Sequence, residues 1–228
     1  MTREEIFGRI RGKLIVSCQA LEDEPLHDSY IMSKMAYAAE CGGAGGIRAN
    51  SVEDIIQIKK RVSLPIIGLI KHTYPDSEVY ITPTMEEIDK LYSCGVEIIA
   101  MDATNRIRPK GVLLEELFKK VRDRYPEQVF MADCSNLEDG IRAQRMGFDL
   151  AGTTLCGYTQ ETKNLQIPNY ELIGKMTEKL HIPVIAEGGI WSPEQLKKVM
   201  EKRAFAAVIG TAITRPREIT RKYVNVLK

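Results

Sequence analysis

Short β-branched apolar runs alternate along this chain with longer segments whose apolar residues recur every three or four positions. The runs are Leu14 to Ser17, Gly46 to Arg48, Ile66 to Ile70, Glu97 to Met101, Val129 to Ala132, Leu150 to Leu155, Pro183 to Ala186 and Ala206 to Ile209. Each reads as a strand, and Ile66 to Ile70 as one buried on both faces. The segments between them open on helix-start residues. Asp28 precedes Ile31, Met32, Met35, Ala36 and Ala39, and Ser51 with Asp54 precedes Ile55 and Ile56. Thr84 pairs with Glu87 ahead of an inward stripe of Ile88, Leu91 and Tyr92, and Ser135 pairs with Glu138 in the same way. Asn169 begins a helix, Ser192, Pro193 and Gln195 occupy the preferred first-turn positions of another, and Pro216 opens the last. A short helix over residues 3 to 11 precedes the first strand.

Strand-then-helix units spaced by roughly 20 to 33 residues have the length of one βαβ step. Eight of them predict an α/β fold, a single (β/α)8 TIM barrel occupying residues 1–228 as one domain. An open doubly wound sheet is the alternative, and it needs fewer strands or a clear switch point. Gly42-Gly43 follow a helix and precede a strand, the reverse of the dinucleotide-binding order, so they read as helix termination.

Charge removes several function classes. The 32 basic and 31 acidic residues nearly cancel and form no basic block, which leaves nucleic-acid or membrane-surface binding without electrostatic support. No apolar run reaches the roughly 18 residues of a membrane span, and the N-terminal residues lack a signal-peptide core, so the expected location is the cytoplasm. Five cysteines with no CxxC pair indicate neither a disulfide framework nor a zinc site. His27, His72 and His181 are scattered, and no metal site is expected.

In such a barrel the chemistry belongs at the C-terminal ends of the strands. Gln19, Arg48, Lys71, Asp102, Asp133 and Glu187 fall there. Lys71 ends the run Ile66, Ile67, Leu69, Ile70, so its ammonium either snorkels past the strand end or faces a site where lost hydration lowers its pKa toward neutrality. Gly188-Gly189 after the seventh strand and Gly210-Thr211 after the eighth lie where barrels bind phosphate through backbone N–H groups, with Arg215 following. An anion anchor, a titratable lysine and a facing carboxylate suit proton transfer beside the carbonyl of a phosphorylated metabolite.

The runs SCQA, GIRAN, GLIK with VYITPT, IIAMDATNRIRP, MADCSN, GTTLCGYT, VIAEGG and IGTAITRP together resemble the bacterial N-acetylmannosamine-6-phosphate 2-epimerase family, nearly end to end. The resemblance implies a cytoplasmic, homodimeric barrel enzyme of sialic acid and amino-sugar catabolism. Without a cofactor, it would interconvert N-acetylmannosamine 6-phosphate and N-acetylglucosamine 6-phosphate. It also implies Lys71 and Glu187 as the catalytic pair, Gln19, Arg48, Asp133 and Arg215 as substrate contacts, and Gly188, Gly189, Gly210 and Thr211 as phosphate contacts. Two rival readings are an aldolase using Lys71 as a Schiff base and a non-catalytic phosphosugar sensor.

Overall fold

Strand residues alternate between two environments, and the alternation decides which side chains reach the functional end. The computed structural model describes residues 1–227. Its strands are β1 (Leu14–Cys18), β2 (Gly46–Asn50), β3 (Ile66–Leu69), β4 (Ile98–Asp102), β5 (Val129–Asp133), β6 (Leu150–Gly152), β7 (Val184–Glu187) and β8 (Ala206–Ile209). Each pairs in parallel with the next, and β8 closes onto β1 through Leu14–Ala207, Ile15–Val208 and Val16–Ile209. The expected closed barrel is therefore present, and the open sheet is excluded.

The helices are α1 (Arg3–Ile10), α2 (Ser29–Cys41), α3 (Val52–Lys59), α4 (Met85–Ser93), α5 (Leu114–Arg124), α6 (Leu137–Met146), α7 (Tyr170–Lys179), α8 (Pro193–Glu201), α9 (Thr211–Thr214) and α10 (Pro216–Val224). One set of strand residues, including Val16, Ile47, Ile66, Ile99, Phe130, Ala132 and Val184, packs with the helix faces. The other set, Ile15, Ile67, Leu69, Ile98, Ala100, Val129, Met131, Leu150, Ile185, Ala206 and Val208, fills the barrel interior. Ile6 and Ile10 of α1 join this inner cluster and plug the N-terminal end. Their i, i+4 spacing puts both on one face, and burying each is worth about 1.5–3 kcal/mol.

Capping follows the sequence at Thr84, where Thr84 and Glu87 satisfy each other's backbone in a full capping box. It departs at α6. The N-cap is Asn136, whose side chain accepts from the Asp139 N–H, while the Asp139 carboxylate accepts from both the N–H and the hydroxyl of Ser135. The two short polar residues compete for one role, and Asn136 has the extended backbone that a cap requires. Tyr92, expected inward, is 47% exposed and stacks on Tyr125 instead. The sixth strand stops at Gly152, short of Leu155, because the chain turns there, Cys156 N–H donating to the Thr153 carbonyl at 3.1 Å.

Candidate active site

Inward positions recur every second residue, so each strand's last inward residue is dictated by those below it. Ile67 and Leu69 lead to Lys71, Ile185 leads to Glu187, and Gly46 leads to Arg48. These side chains meet in a cavity of about 480 Å³ at the C-terminal end of the barrel. Its wall includes Ser17, Gln19, Arg48, Lys71, Tyr80, Thr154, Tyr158, Ile167, Glu187, Gly188, Gly189, Trp191, Gly210, Thr211 and Arg215. Nine of the ten residues singled out from sequence as site residues thus line one space. Asp133 does not: it is fully buried beneath Arg48.

Arg48 lies within β2 rather than at its end, since the strand runs on to Asn50. Its Nη2 lies 2.6 Å from Asp133 Oδ2 and its Nη1 lies 3.4 Å from Glu187 Oε2 and 3.7 Å from Met131 Sδ. Burial pulls the guanidinium's pKa down, but Asp133 and Glu187 outweigh that and hold it above its ordinary value. Gly152 leaves room for Met131, since a Cβ there would meet the methyl end of that flexible side chain. Arg48 Nε and Gln19 Oε1 are buried polar atoms with no hydrogen-bond partner, whereas Gln19 Nε2 donates to Ser17 Oγ at 2.9 Å. Two orphaned groups beside one cavity are what a polar ligand would satisfy.

Lys71 makes no ion pair among the described residues. Burial lowers its pKa to about 8, helped by the positive charges of Arg215 and Arg48 and opposed by Glu187 and Glu24. Its backbone is fixed by the Asn50 side chain, which accepts from Lys71 N–H at 2.8 Å. Glu187 is pinned at both backbone groups: its N–H donates to Thr153 Oγ1 at 3.0 Å and its carbonyl accepts from that hydroxyl at 2.8 Å. Burial raises the Glu187 carboxyl above its ordinary pKa, Asp133 adds to this, and Arg48 opposes it. Thr154 Oγ1 stands 2.6 Å from Asp133 Oδ1 and 3.1 Å from Glu187 Oε2. One hydroxyl proton can serve only one carboxylate, and the shorter contact is to Asp133. A proton on Glu187 turns the longer contact into a hydrogen bond, which agrees with the raised pKa.

The glycines act in different ways. Gly188 and Gly189 have φ of 106° and 71°, a region costly for other residues. A Cβ on Gly189 would also lie 2.7 Å from the backbone carbon of Ile167, so this glycine lets the loop after β6 close against the loop after β7. Gly210 instead permits close approach to Ser17, 3.1 Å from where its Cβ would be. Arg215 lines the cavity while its Nη2 pairs with Glu24 Oε1 at 2.6 Å.

Asp102 stands at the end of β4 but not on the cavity wall. Its carboxylate accepts from Thr104 N–H at 2.9 Å, Thr104 Oγ1 at 2.7 Å and Arg106 Nη2 at 2.5 Å. Sequence reasoning missed Thr154, Ser17, Tyr80, Tyr158 and Trp191. Thr154 and Ser17 were accessible to it, since each sits two residues beyond an inward neighbour, Gly152 and Ile15. Among the described residues no group of three or more His, Cys, Asp or Glu side chains could hold a metal ion, and no helix is long and apolar enough to cross a membrane.

Comparison with known proteins places this arrangement in a family. Residues 32–228 match the family NanE, described as "Putative N-acetylmannosamine-6-phosphate epimerase". A protein of Caldanaerobacter subterraneus named "Putative N-acetylmannosamine-6-phosphate 2-epimerase" is 53% identical over 98% of this chain and 94% of its own. One of the same name from Clostridioides difficile is 51% identical over 98% of this chain and 99% of its own. The solved N-acetylmannosamine-6-phosphate 2-epimerase of Clostridium perfringens superposes with a TM-score of 0.94 at 47% identity, covering 99% of this chain and 98% of that one. With the family match spanning most of the chain and relatives at about half identity spanning nearly all of it, this protein belongs to the N-acetylmannosamine-6-phosphate epimerase family.

Proposed function

We propose that this chain is a cofactor-independent 2-epimerase that interconverts N-acetylmannosamine 6-phosphate and N-acetylglucosamine 6-phosphate in sialic acid and amino-sugar catabolism. The observation that carries the reading is one cavity holding an unpaired lysine lowered to about 8 together with a carboxyl raised above its usual range. Two groups pushed toward each other in pKa can share one proton near neutrality, which is what acid–base work on a weak carbon acid requires.

As the sugar opens, Glu187 gives its proton to the ring oxygen and the resulting carboxylate takes the proton of the C1 hydroxyl, so Glu187 ends protonated; closure reverses both transfers. Neutral Lys71 then removes the C2 proton from the open-chain aldehyde, leaving an enolate whose charge rests on the C1 oxygen. Arg48, fixed in place by Asp133, meets that oxygen and Gln19 binds the sugar's polar groups. Lys71, whose ammonium protons exchange with solvent, delivers a proton to the opposite face after the intermediate turns about its C2–C3 bond. The proton count is restored, and no redox partner is needed. The phosphate sits against the backbone of Gly188, Gly189, Gly210 and Thr211, with Arg215 supplying charge.

We read residues 1–228 as one domain of a cytoplasmic homodimer. Five free cysteines suit a reducing compartment. Helix α10 buries none of its residues, and Ile213, Tyr223, Val224, Val226 and Leu227 around it are exposed, an apolar surface suited to a second copy. The test of function is chromatographic. Dialysed, chelator-treated protein supplied only with N-acetylmannosamine 6-phosphate should form N-acetylglucosamine 6-phosphate. Turnover restored only by an added metal or nucleotide would overturn cofactor independence, and no turnover under any condition would overturn the reaction.

A further inference from the structure

Tyr80 enters the cavity from an unusual support. The chain between β3 and α4 doubles back on itself, so that Ile81 bridges to Lys71 and the Tyr80 carbonyl accepts from His72 N–H at 2.9 Å. Its return limb is tied down next to Tyr80: Thr82 N–H donates to Ile70 at 2.8 Å, and Thr82 Oγ1 donates to Ala100 at 2.7 Å. Buried Arg108 bonds the carbonyls of Thr82, Pro83 and Asp102. A backbone held at this many points fixes the ring's position.

The ring is half-buried and lines the cavity, yet its hydroxyl has no hydrogen-bond partner among the described residues. The hydroxyl is not one of the buried polar atoms left without a partner, so it is accessible and available to meet a ligand. Its charged and titratable neighbours are Asp102, Asp133, Arg106, Tyr158 and Arg48. Burial, then Asp102 and Asp133, push its pKa up to about 12, so at neutral pH it carries its proton and can donate it in a hydrogen bond. Tyr158, the other tyrosine of the wall, is 56% exposed, and the charges that act on it are those of Glu187 and Arg215.

Resting on the epimerase reading above, we propose that the Tyr80 hydroxyl is a further catalytic donor of this site, giving a hydrogen bond alongside Arg48 to the C1 oxygen that becomes an enolate when the C2 proton leaves. No proton changes owner: the phenol donates a hydrogen bond that strengthens as charge develops on the oxygen. A single guanidinium already engaged by Asp133 leaves the enolate a second position to fill, and the free hydroxyl fills it.

The test is Tyr80→Phe in the full-length protein, assayed in both directions. Removing one donor of this kind lowers kcat by about 100- to 1000-fold. KM should stay within about threefold, because the contact strengthens only in the transition state. The 1,5-anhydro analogue of N-acetylmannosamine 6-phosphate lacks the C1 oxygen and should bind the variant and the wild type equally. Replacing Tyr80 with 3,5-difluorotyrosine keeps ring and hydroxyl but makes a stronger donor, and should change kcat severalfold without changing affinity for the analogue; it also reports if Tyr80→Phe does not fold. A Tyr80→Phe protein with wild-type kcat overturns the proposal, as does weakened analogue binding matched by a fall in melting temperature, which marks packing. Wild-type protein that fails to epimerise removes the reaction itself, an outcome distinct from a failure confined to Tyr80.

Discussion

Asp102 and Asp133 stand opposite each other on β4 and β5, at the same height in the barrel and both fully buried. Their surroundings differ completely. Asp102 is satisfied by its own loop through Thr104 and Arg106, and Arg106 also donates to the Glu78 carbonyl. Neighbouring Arg108, lowered to about 10 by burial, bonds only backbone carbonyls and pins the loop carrying Tyr80. Asp133 has no such local partners and meets Arg48 from β2, Thr154 from beyond β6 and, through them, Glu187 from β7. One aspartate closes a loop, and the other organises charges from several strands around a cavity.

The largest expected effect comes from changing the two residues proposed to move the proton beside the second arrangement. Lys71→Met and Glu187→Gln should each lower kcat by about 100- to 10,000-fold in a direct product assay. The lysine variant should also be more stable near pH 7. The folded pKa of about 8 lies below the ordinary 10.5, so the unfolded chain binds more protons between those values. Stability from this group therefore rises with pH across that window, and below it the fold carries the full cost of the desolvated ammonium. Removing the charge should recover at most about 3 kcal/mol, less where cavity water solvates the amine, as read from thermal melts.

Next is Arg48→Met, which leaves Asp133 buried without its cation and should destabilise the protein by about 3–5 kcal/mol in urea unfolding while also lowering kcat. Asp102→Asn sharpens the contrast. It should cost stability in the same way, by about 1–3 kcal/mol given that the amide keeps part of the hydrogen bonding, while kcat stays within about threefold. Equal losses of kcat in the two variants would erase the distinction between the aspartates. The smallest effect is in pH dependence: kcat/KM should follow a bell with an alkaline limb near 8 and an acid limb above the ordinary 4.5 of a glutamate. Those limbs belong to the pair, which is active while it holds one proton.

The barrel was readable because each strand is a continuous apolar run and each helix announces its start, as at Thr84 and Ser192. Lys71, Glu187 and Arg48 were readable because each is a charged residue at or near the C-terminal end of an apolar strand run, where burial without a site to face would be costly. Asp102 looked identical to Asp133 by position. What separates them is chemistry two and four residues on: Thr104 and Arg106 follow the first, whereas Ser135 and Leu137 follow the second. Tyr80 was hidden because its placement depends on a loop that folds back, a tertiary event with no periodic signature. The role of Gly189 as room for Ile167 was hidden for the same reason, since the two are brought together only by closure of separate loops.

The most direct test of the central claim, that Lys71 and Glu187 work one proton at C2, is proton NMR of N-acetylmannosamine 6-phosphate with the protein in deuterated buffer. The account predicts loss of the C2 proton signal in step with the appearance of the gluco epimer carrying deuterium at C2, and neither change with Lys71→Met. Epimer that keeps its original C2 proton throughout, or wild-type rates from the lysine variant, would contradict it.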